Sequence, residues 1–218
     1  MNSIIQQKKV LEYTENFIRV RFEKDGSGHD WWHIHRVRNL AIRFANIEGG
    51  DLFIVEMAAL LHDLDDWKLS GDEQMGQTKA WLIQIGLPNE QSEKILSIIA
   101  EVSFKGAGVE TAATSLEAAI VQDADRLDAI GAVGIARTFA YGGNKGRLLY
   151  HPDENPEMHS SFEAYQKTTA PTINHFYEKL LLLRDRMNTS TAKKMAEGRH
   201  QFMEKYLEQF FSEWEGKI

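Results

Sequence analysis

Residues 115–140 read SLEAAIVQDADRLDAIGAVGIARTFA, apolar or small on almost every side of a helix, yet acidic at Asp123, Asp125 and Asp128. A helix of that pattern is normally buried. Asp125 has Val121 four residues before it and Ala129 four after, so its carboxylate leaves an apolar face. An unpaired charge there would cost several kcal/mol. Compensation has to come from a core-facing arginine, Arg126 or Arg137 meeting an acid elsewhere, or from a bound cation. Working outward, apolar positions recur at three- and four-residue spacing through most of the chain, and no stretch alternates as a half-buried strand does. The spacing predicts an all-α fold, with helices over about 3–23, 30–47, 51–64, 72–85, 89–102, 114–141, 161–187 and 190–213. Gly26 and Gly28, Gly49 and Gly50 with Asp51 as N-cap, Gly86 with Pro88, and Ser190 or Thr191 as a cap punctuate them. The stretch 142–160, GGNKGRLLYHPDENPEMHS, exceeds the usual helix connection of about 2 to 8 residues and is a candidate lid or binding loop.

Composition narrows the chemistry. A chain of 218 residues with 43% hydrophobic and 26% charged residues is expected to fold as one domain over 1–218. With Cys at 0, thiolate metal sites, disulfides and cysteine nucleophiles are excluded. Any transition metal must use histidines and carboxylates. A net charge of -7 argues against a long nucleic acid as partner while allowing a small phosphorylated molecule in a local basic pocket. No apolar run reaches the roughly 18 residues of a membrane span, and the opening MNSIIQQKKV does not read as a leader, so a cytoplasmic protein without a membrane partner is expected.

Two further stretches place polar groups where a core belongs. In MAALLHDLDDWK, residues 57–68, an apolar run ends abruptly in His62 and Asp63. Neighbours on a helix point about 100° apart, so both reach one cation only at that helix edge, with other ligands arriving from elsewhere. In GHDWWHIHRVRNLAIRFA, residues 28–45, His33 heads the stripe Val37, Leu40, Ala41 and Phe44, whereas His35 lies on a more polar side. His29 sits at or before the helix start and is a cap, a phosphate contact or a support for the ligands. Taken singly, each of these histidines and acids is as readily a hydrogen-bonded core or surface residue. Together, His33, His62, Asp63 and Asp125 make a nitrogen and oxygen set for one divalent ion, with positions left for water and substrate. Mixed nitrogen and oxygen ligation suits Mn, Fe, Co, Ni or Zn and makes an exclusively Mg site less favoured; manganese is the expected ion.

At this point the motifs H-x-x-R-V (His33 to Val37), H-D (His62 and Asp63) and A-D-R-L (Ala124 to Leu127) resemble the signature of the HD-domain metal-dependent phosphohydrolases. The resemblance runs over about residues 20–150, with helices 160–215 expected to pack on that core. HDWWHIHRV, SFKG and QDADRLDAIGAVGIAR are similar to a short bacterial subgroup containing nucleotide pyrophosphohydrolases. It implies a phosphodiesterase-like helical bundle with His33, His62, Asp63 and Asp125 as metal ligands. No histidine occurs between His62 and His151 to hold a second metal, so a mononuclear site is predicted. Asp66, four residues after His62, resembles the general acid/base of related enzymes; Asp65 is the less favoured neighbour, and both could instead solvate a helix end. Candidate substrate contacts are Arg36, Lys105 among the glycines of SFKGAG, Asp128, His29, and Lys145 and Arg147 of the long loop, the last two being equally suited to a solvated surface. The implied function is hydrolysis of a phosphoanhydride in a nucleoside triphosphate. A nucleotide phosphomonoesterase, a guanosine polyphosphate hydrolase and a non-enzymatic metal or nucleotide sensor are the alternatives. An apolar face around Phe176, Leu180 and Leu183 leaves a homodimer open.

Overall fold

A computed structural model describes residues 2–23, 30–65, 75–104, 106–109 and 111–218, and among them every regular element is helical. The chain divides into two compact units, Met1–Phe104 with Thr111–Asp125, and Lys105–Glu110 with Arg126–Ile218. No described helix is long and apolar enough to cross a membrane.

The first unit contains α1 (Asn2–Phe22), α2 (Trp31–Glu48), α3 (Leu52–Leu61), α4 (Gly76–Gln84), α5 (Asn89–Val102) and most of α6 (Leu116–Asp128). α3 is its centre: α1, α2 and α5 pack against it, and every side chain from Phe53 to Leu61 is buried. Ile34, Val37 and Phe44 of α2, Ile95 of α5 and Val121 and Ala124 of α6 complete the core. The one acid in the α3 run, Glu56, accepts from Arg38 Nε at 2.8 Å, and Arg38 Nη1 also lies 3.0 Å from Glu15 Oε2. Pairing is what makes a charge at that depth tolerable. Helix starts are fixed locally. Asp30 Oδ1 accepts from the His33 amide at 2.8 Å, and Asp51 Oδ1 accepts from the Phe53 and Ile54 amides at 3.0 and 3.2 Å.

The second unit holds α7 (Gly131–Asn144), α8 (Phe162–Lys167), α9 (Asn174–Glu178), two 3-10 turns (Leu180–Leu182 and Arg184–Arg186) and α10 (Ser190–Trp214). α7 packs on α10, with Phe139, Phe176 and Tyr206 meeting ring to ring.

Three expectations are corrected here. The continuous helix over 114–141 is two helices, because Gly131 adopts φ +77°, a left-handed backbone that ends one helix and starts the next. Arg199 Nη1 donates to the Leu127 carbonyl at that junction, satisfying a group the helix end would leave orphaned. The helix over 161–187 is likewise broken, at Thr168–Ile173. Pro171 lacks an amide hydrogen and biases Ala170 away from helix. Thr189, rather than Ser190 or Thr191, caps α10, accepting from the Ala192 amide at 3.2 Å. The long stretch after α7 is a strap pinned along its length. Leu148 O accepts from Thr172 N at 2.8 Å, Glu154 O from Asn174 Nδ2 at 3.0 Å and His159 O from Gly108 N at 3.1 Å. Glu157 N donates to Glu178 Oε1 at 3.1 Å.

Candidate metal centre

His33 lies in the first turn of α2, His62 is the C-cap of α3 with Asp63 following it, and Asp125 is in α6. His33, His62 and Asp63 are buried, and each offers a ligand atom within 4.8 Å of the others. His33 Nε2 is 3.3 Å from His62 Nε2, 3.2 Å from Asp63 Oδ2 and 3.5 Å from Asp125 Oδ1. His62 Nε2 is 3.4 Å from Asp63 Oδ1 and 3.8 Å from Asp125 Oδ1. Neighbouring ligands bound at about 2.1 Å to one cation lie roughly 3.0 to 3.4 Å apart, so these donors are spaced as a coordination sphere is.

Protonation supports the same fit. His62 Nδ1 is 2.9 Å from the Ala59 carbonyl oxygen, which can only accept, so in the neutral ring Nδ1 holds the hydrogen and Nε2 presents a lone pair. Two imidazole nitrogens 3.3 Å apart, both beside carboxylate oxygens, need a proton or a cation between them. The set is oxygen and nitrogen only, which suits a divalent metal. Asp125 is the open side, with 26% side-chain exposure against 6% or less for the other three. The two arginines weighed as its neutralising partners each have other contacts. Arg137 Nη1 donates to Asp128 Oδ2 at 2.9 Å and Arg126 Nη1 to the Arg186 carbonyl.

Residues 31–130 match the HD domain family. An HD-superfamily hydrolase of Bacillus thuringiensis is 47% identical, over 96% of this chain and 99% of its own, with a TM-score of 0.72. The chain belongs to the HD superfamily. Bacillus subtilis YpgQ is 39% identical to this HD protein over 94% of each chain. YpgQ has been solved in complex with ADP, and that structure superimposes with a TM-score of 0.73 at 38% identity, over 94% of this chain and 98% of that one. A Lactobacillus plantarum protein, also 38% identical and covering 94% and 97%, reaches a TM-score of 0.88. Within this HD fold, the His33, His62 and Asp63 cluster could hold a divalent metal ion.

The other residues singled out from sequence fall differently. Asp65 is buried, and its two oxygens accept from the Gln77 and Thr78 amides at 3.0 and 2.8 Å, so it caps α4 from outside that helix. Arg36 is half-buried on α2, one turn after His33. Asp128 is held by Arg137. Arg147 Nη2 donates to Thr168 O at 2.6 Å, and Arg147 and Lys145 both lie over the Tyr141 ring. His29, Asp66 and Lys105 lie outside the described residues. Sequence reasoning passed over Asp30, whose side chain anchors the His33 amide; its position just before the helix was the available signal. The Ala59 carbonyl that orients His62 is backbone and leaves no mark in the sequence.

Proposed function

We propose that this HD protein is a metal-dependent phosphohydrolase acting on nucleotides, cleaving a phosphoanhydride of a nucleoside triphosphate with release of pyrophosphate. The observation that carries the proposal is the convergence of His33, His62, Asp63 and Asp125 with the His62 tautomer already set. A divalent cation bound there would lower the pKa of a bound water and screen phosphoryl charge near neutral pH. The protein's share is orientation. Ala59 O fixes the His62 ring and Asp30 secures the turn carrying His33. The exposed side of Asp125 gives a phosphate group its approach.

Arg36 is assigned to the phosphate, since it is on the helix that carries His33 and can supply a forked pair of donors. With both oxygens of Asp65 committed to α4, Asp66 is the better candidate for proton transfer. YpgQ's complex with ADP supports a nucleotide as the ligand class here.

The test is turnover of nucleoside mono-, di- and triphosphates by protein loaded with Mn²⁺, Co²⁺, Ni²⁺, Zn²⁺ or Mg²⁺, with phosphate and pyrophosphate quantified separately. Pyrophosphate from a triphosphate is the expected product. Asp125→Asn is expected to lower turnover by about 100-fold or more, since even partners behind the ligands are worth about 10- to 100-fold. Phosphate alone from a monophosphate would move the assignment to a phosphomonoesterase. Binding without turnover in any metal would leave a sensor.

A further inference from the structure

The proposed reaction leaves one prominent side chain at the metal-bearing end of α2 unused. Trp32 precedes His33 and is 59% exposed, although Trp31 beside it is buried. Large aromatic rings are normally placed where most of their surface leaves water. Trp32 is exposed yet supported. Its indole meets the His35 ring edge to face, 5.6 Å between centroids and 83° between planes. His35 in turn packs on Trp31 at 5.7 Å and is hydrogen-bonded to Asn39 Nδ2 at 3.0 Å. The buried ring of Trp31 and the polar pair behind it brace an indole whose surface stays in solvent.

Its position along the helix gives that surface a use. Each residue turns α2 by about 100°, so Arg36 lies about 40° round from Trp32 and His33 about 100° round, in the same sense. Across the helix surface the order is therefore indole, guanidinium, imidazole. A nucleoside polyphosphate requires that order: an aromatic face for the base, a cation for the phosphate chain, and the metal donors at the reacting phosphorus.

We infer that Trp32 is the stacking platform for the nucleobase, an assignment that rests on the nucleotide reading above. It is a positioning and specificity residue, taking the base through its π-face. Every base offers such a face, so purines are favoured by area and none is rejected outright.

Calorimetric binding of ADP and of inorganic pyrophosphate to the full-length protein, with Mn²⁺ and again with EDTA, tests it. Loss of one base stack is expected to weaken ADP by roughly 5- to 150-fold in Trp32→Ala. Pyrophosphate, having no base, should be unaffected within about twofold, and Trp32→Phe should recover most of the ADP affinity. Equal weakening of both ligands, unchanged ADP affinity in Trp32→Ala, or failure of Trp32→Phe to rescue overturns the platform while leaving the nucleotide reading intact. A wild-type protein that binds pyrophosphate but no ADP, or neither, overturns both. Trp32 is exposed, so its variants should fold as the wild type does, and matched thermal melts check it.

Discussion

Within MAALLHDLDDWK, acids two residues apart have different work. Asp63 faces the two imidazoles, while Asp65 turns away to receive two amides at the start of α4. Removing a carboxylate that satisfies backbone donors at a helix start costs about 1 to 2 kcal/mol. Asp65→Ala is accordingly expected to lower the urea unfolding free energy by about that amount, with turnover per folded molecule kept within a few-fold. Lost turnover at unchanged stability would return Asp65 to the chemistry. His33 was legible because phase sets it at the head of an apolar stripe, whereas Asp125 stood out from Asp123 and Asp128 through its A-D-R-L context; the structure brings the two groups together. The task of Asp65 was not legible, since its partners lie 12 and 13 residues ahead, beyond the reach of helical spacing.

Among the elements, all-helical content follows from apolar spacing, and the breaks are where that spacing misleads. The pattern from Leu116 to Ala140 continues in phase through Gly131, so periodicity sees one helix while the backbone there turns left-handed. A side chain at Gly131 would suffer twice, from φ +77° and from a Cβ 3.0 Å from the Arg199 Cβ and Cγ. Gly131→Ala should destabilise the protein by about 1 to 3 kcal/mol, read from the denaturant midpoint at constant slope. The strap after α7 makes a second case. Glu178 receives the Glu157 amide and faces His159 Nε2 at 3.9 Å, and both Glu178 and His159 are buried. Burial pushes its carboxyl above the ordinary 4.5, overcoming the opposite pull of the Glu157 amide, His159 and Arg147. The folded chain thus keeps a proton that the unfolded chain has released, and the Glu178 contribution falls as pH rises from about 4.5 through the raised value, then levels. Glu178→Gln should remove that slope. Melting temperatures of both proteins from pH 4 to 7.5 check it, and parallel profiles would dismiss the effect.

Taken whole, the HD protein gathers its candidate ligands from α2, the end of α3 and α6, which are far apart in sequence and separately anchored. A cation bound only by the folded arrangement stabilises it by mass action, about 2.7 kcal/mol at a hundredfold excess over the dissociation constant. Chelation is therefore expected to lower the melting temperature of the wild type and to do little to Asp125→Asn, as differential scanning calorimetry would show. Equal responses in the two would mean that the metal binds elsewhere.

α3 has one more consequence. It ends at His62, and the peptide dipoles of its ten residues leave their negative pole there. The α3 main chain thus joins the aspartates in preferring positive charge at that end. Neutralising both carboxylates would weaken that preference at the end of α3, and without a bound cation an anion such as sulfate should find no home at that helix end.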